Sequence, residues 1–257
     1  MKTHAKPRVL VFLAFYLPGY KSGGPIRTIA NLVERLGDEF DFLIVTSDRD
    51  ATDTEPYDSI KVNEWNRVGK ALVHYLSPEH QNPFYYARLI ASTPYDVLYL
   101  NSFFNPRFTI APLLLRKLSL IPKRKTIVAP RGEFSSGALE LKKWKKNVFI
   151  LCARLFGLYR NVIWQASTTL EKDDISNIMN VDPNRIRIAT NLSEAKIPEE
   201  AQNTNCTGKT HDSVLKISFL SRISPKKNLD YALEVLSSVN APVIFDLYGP
   251  VRDEEYW

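Results

Sequence analysis

Short apolar runs alternate along this chain with segments of helical periodicity. Val9–Phe15 is the first apolar run, and Pro18-Gly19-Tyr20-Lys21-Ser22-Gly23-Gly24-Pro25 follows it. Behind Pro25, the residues Ile26, Ile29, Ala30, Leu32, Val33 and Leu36 recur at the spacing of a helix with one buried face, and Gly37 ends it. Phe42–Thr46 and Val97–Asn101 read as the second and third strands, with a helix around Phe84–Ser92 between them. A helix over Leu113–Leu118 opens near Pro112, and Thr126–Ala129 is a further strand ending at Pro130-Arg131-Gly132. Helices fill Ala138–Arg160, then a strand is predicted over Val162–Ala166, a helix over Glu171–Asn180 and a strand over Arg185–Ala189. After a polar stretch, Val214–Leu220, Leu229–Val239 and Val243–Tyr248 form one more strand–helix–strand unit. Apolar strands in alternation with amphipathic helices are the pattern of an α/β protein with a parallel sheet.

The organisation follows from that pattern. Residues 1–195 make a complete Rossmann-like domain, 196–213 a polar linker with Pro198, Gly208 and several Asn and Thr, and 214–257 the first βαβ of a second Rossmann-like domain. A lone βαβ leaves sheet faces uncovered, so the second domain reads as partial. Lys2, Lys6 and Arg8 ahead of Val9–Leu17 mimic a signal peptide, but a Gly-rich turn stands where a cleavage site would. A buried first strand accounts for the run, and no stretch of about eighteen uncharged apolar residues follows anywhere. Cys152 and Cys206 are too far apart in sequence for a metal or disulfide framework, which points to a reducing compartment.

Charge changes the picture. The net charge is +6, yet Arg107–Arg160 alone carries thirteen Lys or Arg against Glu133 and Glu140, a balance of +11. One region thus holds the basic character and should face an anionic partner such as a lipid headgroup or a phosphate-bearing acceptor. Lys142, Lys143, Lys145 and Lys146 form its densest part, interleaved with Trp144 and an apolar run. A basic amphipathic helix of this kind can rest on an anionic bilayer. The plainer alternative is that its apolar residues pack inward and leave only lysines in solvent. No nucleic-acid motif accompanies the basic stretch, and no nucleic acid is expected as a partner.

The candidate chemistry sits at strand ends. Arg222 and Lys227 flank Ser224-Pro225 between a strand and a helix, so two cations and a helix N-terminus converge where a diphosphate would be stabilised. Gly23-Gly24 can bring backbone amides close to a ligand, and Arg131, Gly132 and Glu133 follow a strand at the edge where open α/β sheets bind ligands. Arg131 cannot carry protons at neutral pH, and its plain alternative is a pairing with Glu133 or another acid. Asp48-Arg49-Asp50 matches a metal-binding D-x-D pattern, but the acidic trend through Asp53, Glu55 and Asp58 reads as a solvated loop. His74 and His80 have no metal-ligand spacing.

In order and spacing these features resemble the family-four retaining glycosyltransferases, especially those of bacterial surface-polysaccharide assembly. The resemblance rests on Gly23-Gly24, Ala129-Pro130-Arg131-Gly132-Glu133-Phe134, the lysine-rich helix, Thr168-Thr169-Leu170-Glu171, Ala189-Thr190-Asn191-Leu192, the Arg222/Lys227 loop and Tyr248-Gly249-Pro250. The family's loop is commonly G-R-L-x-P-x-K-G, with Ser221 and Asn228 here in place of its glycines, and Arg131 stands where many relatives have His. The resemblance implies a GT-B fold and transfer of a sugar from a nucleotide-sugar donor to a saccharide acceptor, expected to be lipid-linked. It implies diphosphate contacts from Arg222 and Lys227 and a donor/acceptor loop at Gly23, Gly24, Arg131, Gly132 and Glu133. No cofactor or metal is expected, and the expected location is the cytoplasmic face of the membrane. The family's Glu-x7-Glu motif is missing, since no two Glu stand eight apart, so no catalytic residue is assigned and a C-terminally incomplete chain is expected. An inactive remnant or a module binding membrane or anionic polymer is the alternative.

Overall fold

The computed structural model describes residues 6–140, 142–194, 214–251 and 253–257. The chain divides into two compact units, residues 1–196 and 197–257. In the first unit the chain runs β1 (Arg8–Phe12), α1 (Gly24–Leu36), β2 (Asp41–Ser47), β3 (Trp65–Val68), β4 (Ala71–Leu76), α2 (Pro83–Ser92) and β5 (Val97–Leu100). It continues with α3 (Ala111–Lys117), β6 (Lys125–Val128), α4 (Ser136–Glu140), α5 (Lys143–Leu155), β7 (Ile163–Ala166), α6 (Thr169–Met179) and β8 (Ile186–Ile188). These strands form one eight-stranded sheet in the order β3-β4-β2-β1-β5-β6-β7-β8, parallel except for β3.

Side-chain alternation on the central strands explains why the sheet is covered twice. Leu10 and Phe12 of β1 join a cluster with Tyr86 and Ile90 of α2, Leu113 of α3, Ile150 of α5 and Ile175 of α6. Val11 and Leu13 point the other way, into a cluster with Ile29 and Val33 of α1 and Ile44 and Tyr75. Leu10, Val11 and Phe12 are all fully buried, as a central parallel strand requires. Each such side chain stabilises the fold by about 1.5–3 kcal/mol relative to exposure. A second knot gathers around the fully buried Phe103, which stacks on Tyr159 at 4.5 Å and meets Phe134 at 4.6 Å. It ties α4 and α5 to the loop after β5.

One expectation is corrected. Val97–Asn101 is not the third strand, because the β3–β4 hairpin precedes it. The hairpin turns through Gly69-Lys70, with Val68 opposite Ala71 and Gly69 at φ 55°. That Gly between two alternating runs was the available signal. Gly37 does end α1, but in right-handed geometry at φ −68°. Its reason is space: a Cβ would stand 2.6 Å from both Lys70 Cβ and Val33 O. The remaining elements agree with the reading to within a few residues, and the predicted linker lies entirely outside the described residues.

The second unit contains β9 (Leu215–Leu220), α7 (Leu229–Ser237) and β10 (Val243–Tyr248). β9 and β10 pair in parallel from Leu215 opposite Val243 to Leu220 opposite Tyr248. Ile223 and Leu229 are its buried apolar side chains among the described residues, and Leu220, Tyr231 and Tyr248 are exposed.

His74 on β4 provides a pH-sensitive marker of the first unit. It is buried, its Nδ1 lies 3.1 Å from the Glu64 carbonyl and its Nε2 lies 3.2 Å from the Tyr85 hydroxyl. A carbonyl only accepts, so Nδ1 carries the proton and Nε2 accepts from Tyr85. Burial lowers the imidazole pKa below its ordinary 6.5, against the Glu64 carbonyl bond. The unfolded chain therefore takes up this proton first as pH falls, so stability is intact above that value and declines below it. Denaturant unfolding between pH 7.5 and pH 5 (roughly the histidine range) should show this decline, and His74→Gln should flatten it.

Candidate functional site

β1 is flanked by β2 on one side and β5 on the other, so the loops leaving β1 and β5 diverge at the carboxyl edge of the sheet. Ligands of open α/β sheets bind at such a reversal. The Gly-rich loop after β1 is shaped by glycine for two separate reasons. Gly23 sits at φ 67°, ψ −121°, a region closed to ordinary residues, whereas a Cβ on Gly19 would meet Tyr57 Oη at 2.3 Å. Gly24 is under neither constraint and leads into α1, with Pro25 in its first turn.

Asp50 holds this loop in place. One carboxylate oxygen accepts from the Tyr20 amide at 2.6 Å and the Lys21 amide at 2.9 Å, and the other from the Ala51 amide at 2.7 Å. Burial pushes its carboxyl pKa up, but the amides of Lys21, Tyr20 and Ala51 outweigh this and bring it below the ordinary value. Asp48 is also buried and pairs with Arg49 at 2.8 Å. The solvated-loop reading of Asp48-Arg49-Asp50 is thus overturned. Both carboxylates are enclosed, with local partners, and among the described residues no His, Cys, Asp and Glu cluster is arranged to hold a metal.

Arg131, Gly132 and Glu133 do come together at the end of β6, though not as a pair of opposite charges. Arg131 stands at φ 57° and Gly132 at φ 72°. A left-handed Arg is strained by about 1–2 kcal/mol, and its guanidinium is well bonded in compensation. Nη2 donates to Tyr99 Oη at 2.6 Å and Asn101 Oδ1 at 2.7 Å, and Nη1 donates to Asn191 Oδ1 at 2.8 Å. Glu133 instead accepts from Ser102 Oγ at 2.8 Å and from the Phe103 and Phe104 amides. The Gly132 amide donates to Glu171 at 2.7 Å, and Ser167 donates to the same carboxylate through N and Oγ. Asn101 is buried, and its Nδ2, beside the guanidinium, has no acceptor among the described residues.

Segment 191–194 is fastened to the same edge from the other side. Asn31 donates to Leu192 O at 2.8 Å, Arg35 to Ser193 O at 2.9 Å, and Arg27 pairs with Glu194 at 2.6 Å. Gly19, Gly23, Arg27 and Asn31 line a cleft of about 640 Å³ that also includes Glu34 and Glu194. A second crevice, about 360 Å³, lies between the β1 and β5 loops and is lined by Phe15, Arg49, Gln81, Asn105 and Arg107. Arg107 donates to Gln81 Oε1 at 3.0 Å and forms no ion pair among the described residues. It stands in a π-helical turn, Pro106–Ile110, capped by the Asn105 side chain. Asp50, Asn101, Arg107 and Glu171 were not singled out as site residues. The Asn105-Pro106 pair and the Thr168-to-Glu171 capping pattern were the signals that bear on two of them.

In the second unit, the chain from Ser221 to Asn228 joins β9 to α7. Ser221 N donates to Tyr248 O and Ile223 N to Pro250 O, both at 3.0 Å. Pro225–Lys227 forms a 3-10 turn that ends at Asn228, φ 56°. Asn is among the few side chains that accept that geometry, which explains how it stands for glycine. Arg222 and Lys227 are exposed, and neither side chain is hydrogen-bonded or ion-paired with a described residue. Across the loop, Gly249 has φ 146°, and a Cβ there would fall 1.8 Å from Ser221 O.

The lysine-rich helix also differs from expectation. Lys142, Lys143 and Lys145 are exposed, but Lys146 turns inward, donating to Ala138 O at 2.5 Å and lying 5.2 Å from the Phe104 ring centroid. Trp144, Val148, Leu151 and Leu155 are exposed as well, so the reading in which the apolar residues mostly pack inward is corrected.

No family model matches the sequence, and no curated protein matches it. Among solved structures, the chain is similar to sucrose-phosphate synthase from Thermosynechococcus elongatus, with a TM-score of 0.61 and 11% identity. The match covers 95% of this chain and 62% of that one, so the chain spans less than two thirds of the neighbour's length. The likeness is one of fold. The chain has the mixed α/β architecture of the GT-B fold, with a Rossmann-like, mostly parallel sheet in its first unit.

Gly249→Ala tests the loop geometry. Strain on the order of 1–3 kcal/mol is expected, and hydrogen exchange at the Ser221 and Ile223 amides should accelerate roughly tenfold or more. Unchanged exchange would show that the loop does not depend on the close approach.

Proposed function

We propose that this protein is a retaining glycosyltransferase of surface-polysaccharide assembly, moving a sugar from a nucleotide-sugar donor to a lipid-linked saccharide. Residues 1–195 take the acceptor and 214–257 hold the donor. The observation that carries this reading is the loop from Ser221 to Asn228. Two exposed cations, Arg222 and Lys227, without a carboxylate partner among the described residues, flank a tight turn at the carboxyl end of β9 and the start of α7. Such cations neutralise a diphosphate in the ground state and do so more strongly as it departs with growing charge. The GT-B fold supports the reading, because the same strand–loop–helix arrangement recurs after β1.

On the first unit, Gly23 and Gly24 admit close approach of a ligand, and Arg131 is a positioning residue that fixes Asn101 and Asn191 at the sheet edge. The basic face of α5 supports contact with an anionic membrane on its cytoplasmic side. Among the described residues no helix is long and apolar enough to cross a membrane. One observation favours a second reading, a binding module without transfer: Trp144, Leu151 and Leu155 stand exposed beside Lys143 and Lys145 on α5.

The test is transfer from a panel of nucleotide-sugars to saccharide acceptors. Arg222→Ala or Lys227→Ala should lower turnover on the order of a hundredfold or more, and Arg222→Lys should recover part of it. Nucleotide-sugar binding that falls in these variants, without turnover in the parent, would select the binding module. Turnover unchanged by both alanine substitutions would remove the support for this mechanism.

A further inference from the structure

At the amino edge of the first sheet, far in sequence from the Gly-rich loop, a cavity of about 530 Å³ opens between the end of α5 and the end of α6. Its walls are apolar, with Leu151, Leu155 and Met179 among them, and its charged lining consists of Arg154, Arg160 and Arg185. No carboxylate lines it. Among the described residues, none of the three arginines forms an ion pair. Arg185 donates to Val162 O at 3.1 Å, which steadies it at the rim. Trp164 also lines the cavity; it is fully buried, and its indole N–H has no acceptor among the described residues.

The cavity continues a surface with one clear chemistry. Along α5, Trp144, Val148, Leu151 and Leu155 stand one above another and are 75%, 44%, 54% and 74% exposed. Phe156, 70% exposed, extends the stripe, and Lys117 of α3 donates to its carbonyl, which brings the exposed Leu118 close by. Ile150 and Ala153 fill the opposite, buried face of the same helix. Lys143 and Lys145 flank the stripe at one end and Arg154 and Arg160 at the other. A symmetric second copy would set these cations against their own kind. An anionic bilayer satisfies the cations and the apolar stripe together.

We infer that this cavity is a headgroup site for an anionic phospholipid, with Arg154, Arg160 and Arg185 on the phosphate and Trp144, Leu151, Leu155 and Phe156 at the boundary between headgroups and acyl chains. The inference deepens the membrane contact of the proposed function and is independent of sugar transfer. It locates attachment in a defined cavity rather than in the lysines alone, and it lays α5 in the plane of the membrane.

Sedimentation with phosphatidylcholine vesicles, with and without phosphatidylglycerol, tests it alongside thermal unfolding of each variant. The protein should bind the mixed vesicles and not the neutral ones. Arg154→Gln/Arg160→Gln should weaken binding roughly tenfold or more, at about 1 kcal/mol per cation. Leu155→Ser should weaken it as well, both variants unfolding at the parent temperature. Lys143→Gln/Lys145→Gln serves as the comparison. Loss of binding in the lysine variant alone would overturn the cavity assignment while sparing membrane contact. Absence of binding by the parent would overturn both, and neither result touches the nucleotide-sugar assay. Displacement by millimolar inorganic phosphate at constant ionic strength would reassign the cavity to a free anion, and equal binding to soluble poly-glutamate would reassign the surface to an acidic polypeptide. Either outcome overturns the lipid assignment.

Discussion

The carboxyl edge of the first sheet depends on three carboxylates that hydrogen-bond the loops leaving it. Parallel strands end there with amides and carbonyls beyond the reach of the ladder, and each such group is costly when buried without a partner. Asp50 takes the amides of Tyr20, Lys21 and Ala51, Glu133 those of Phe103 and Phe104, and Glu171 those of Gly132 and Ser167. A hydrogen bond to a charged acceptor contributes about 1.5–3 kcal/mol, roughly twice a neutral one. The loops are consequently fixed in advance of any ligand, and Gly23, Arg131 and Gly132 can hold left-handed backbone that isolated peptides would abandon.

Cations in this protein divide by the partners they have. Arg131 is saturated by the neutral oxygens of Tyr99, Asn101 and Asn191 and acts as a brace between strand ends. Lys146 is likewise turned into the structure against Ala138 and Phe104. Among the described residues Arg222 and Lys227 have no such partners, and neither has a carboxylate. A cation in that condition gives up only hydration on meeting a phosphate, whereas a braced one must also give up bonds within the protein. The difference in partners, more than charge itself, separates the donor-loop candidates from the structural arginines.

α5 shows how one helix serves two surfaces. Its buried face is narrow, through Ile150 and Ala153, because the aromatic knot around Phe103 already fills the space beneath it. The apolar residues left over are carried outward with the lysines and arginines. Apolar area and positive charge on one exposed face is a combination that water disfavours and an anionic bilayer accepts.

Element type and order were legible from periodicity, since a buried parallel strand must be apolar throughout and its helix must carry one apolar face. β1, β2, β5 and β10 and the helices α1, α2 and α6 were readable on those grounds. The Arg222/Lys227 loop was visible too, because its strand, turn and helix are contiguous in sequence. Long-range satisfaction of polar groups was not visible. Asp50 looked solvated until its partners, thirty residues earlier, were brought to it. For Arg131 the plain alternative, a pairing with Glu133 or another acid, gave way only when Asn101 and Asn191 were placed beside it. Charge and periodicity describe what a residue prefers along the chain. Which donor reaches which acceptor, and which face of α5 is left uncovered, is decided only when distant segments compete for the same space.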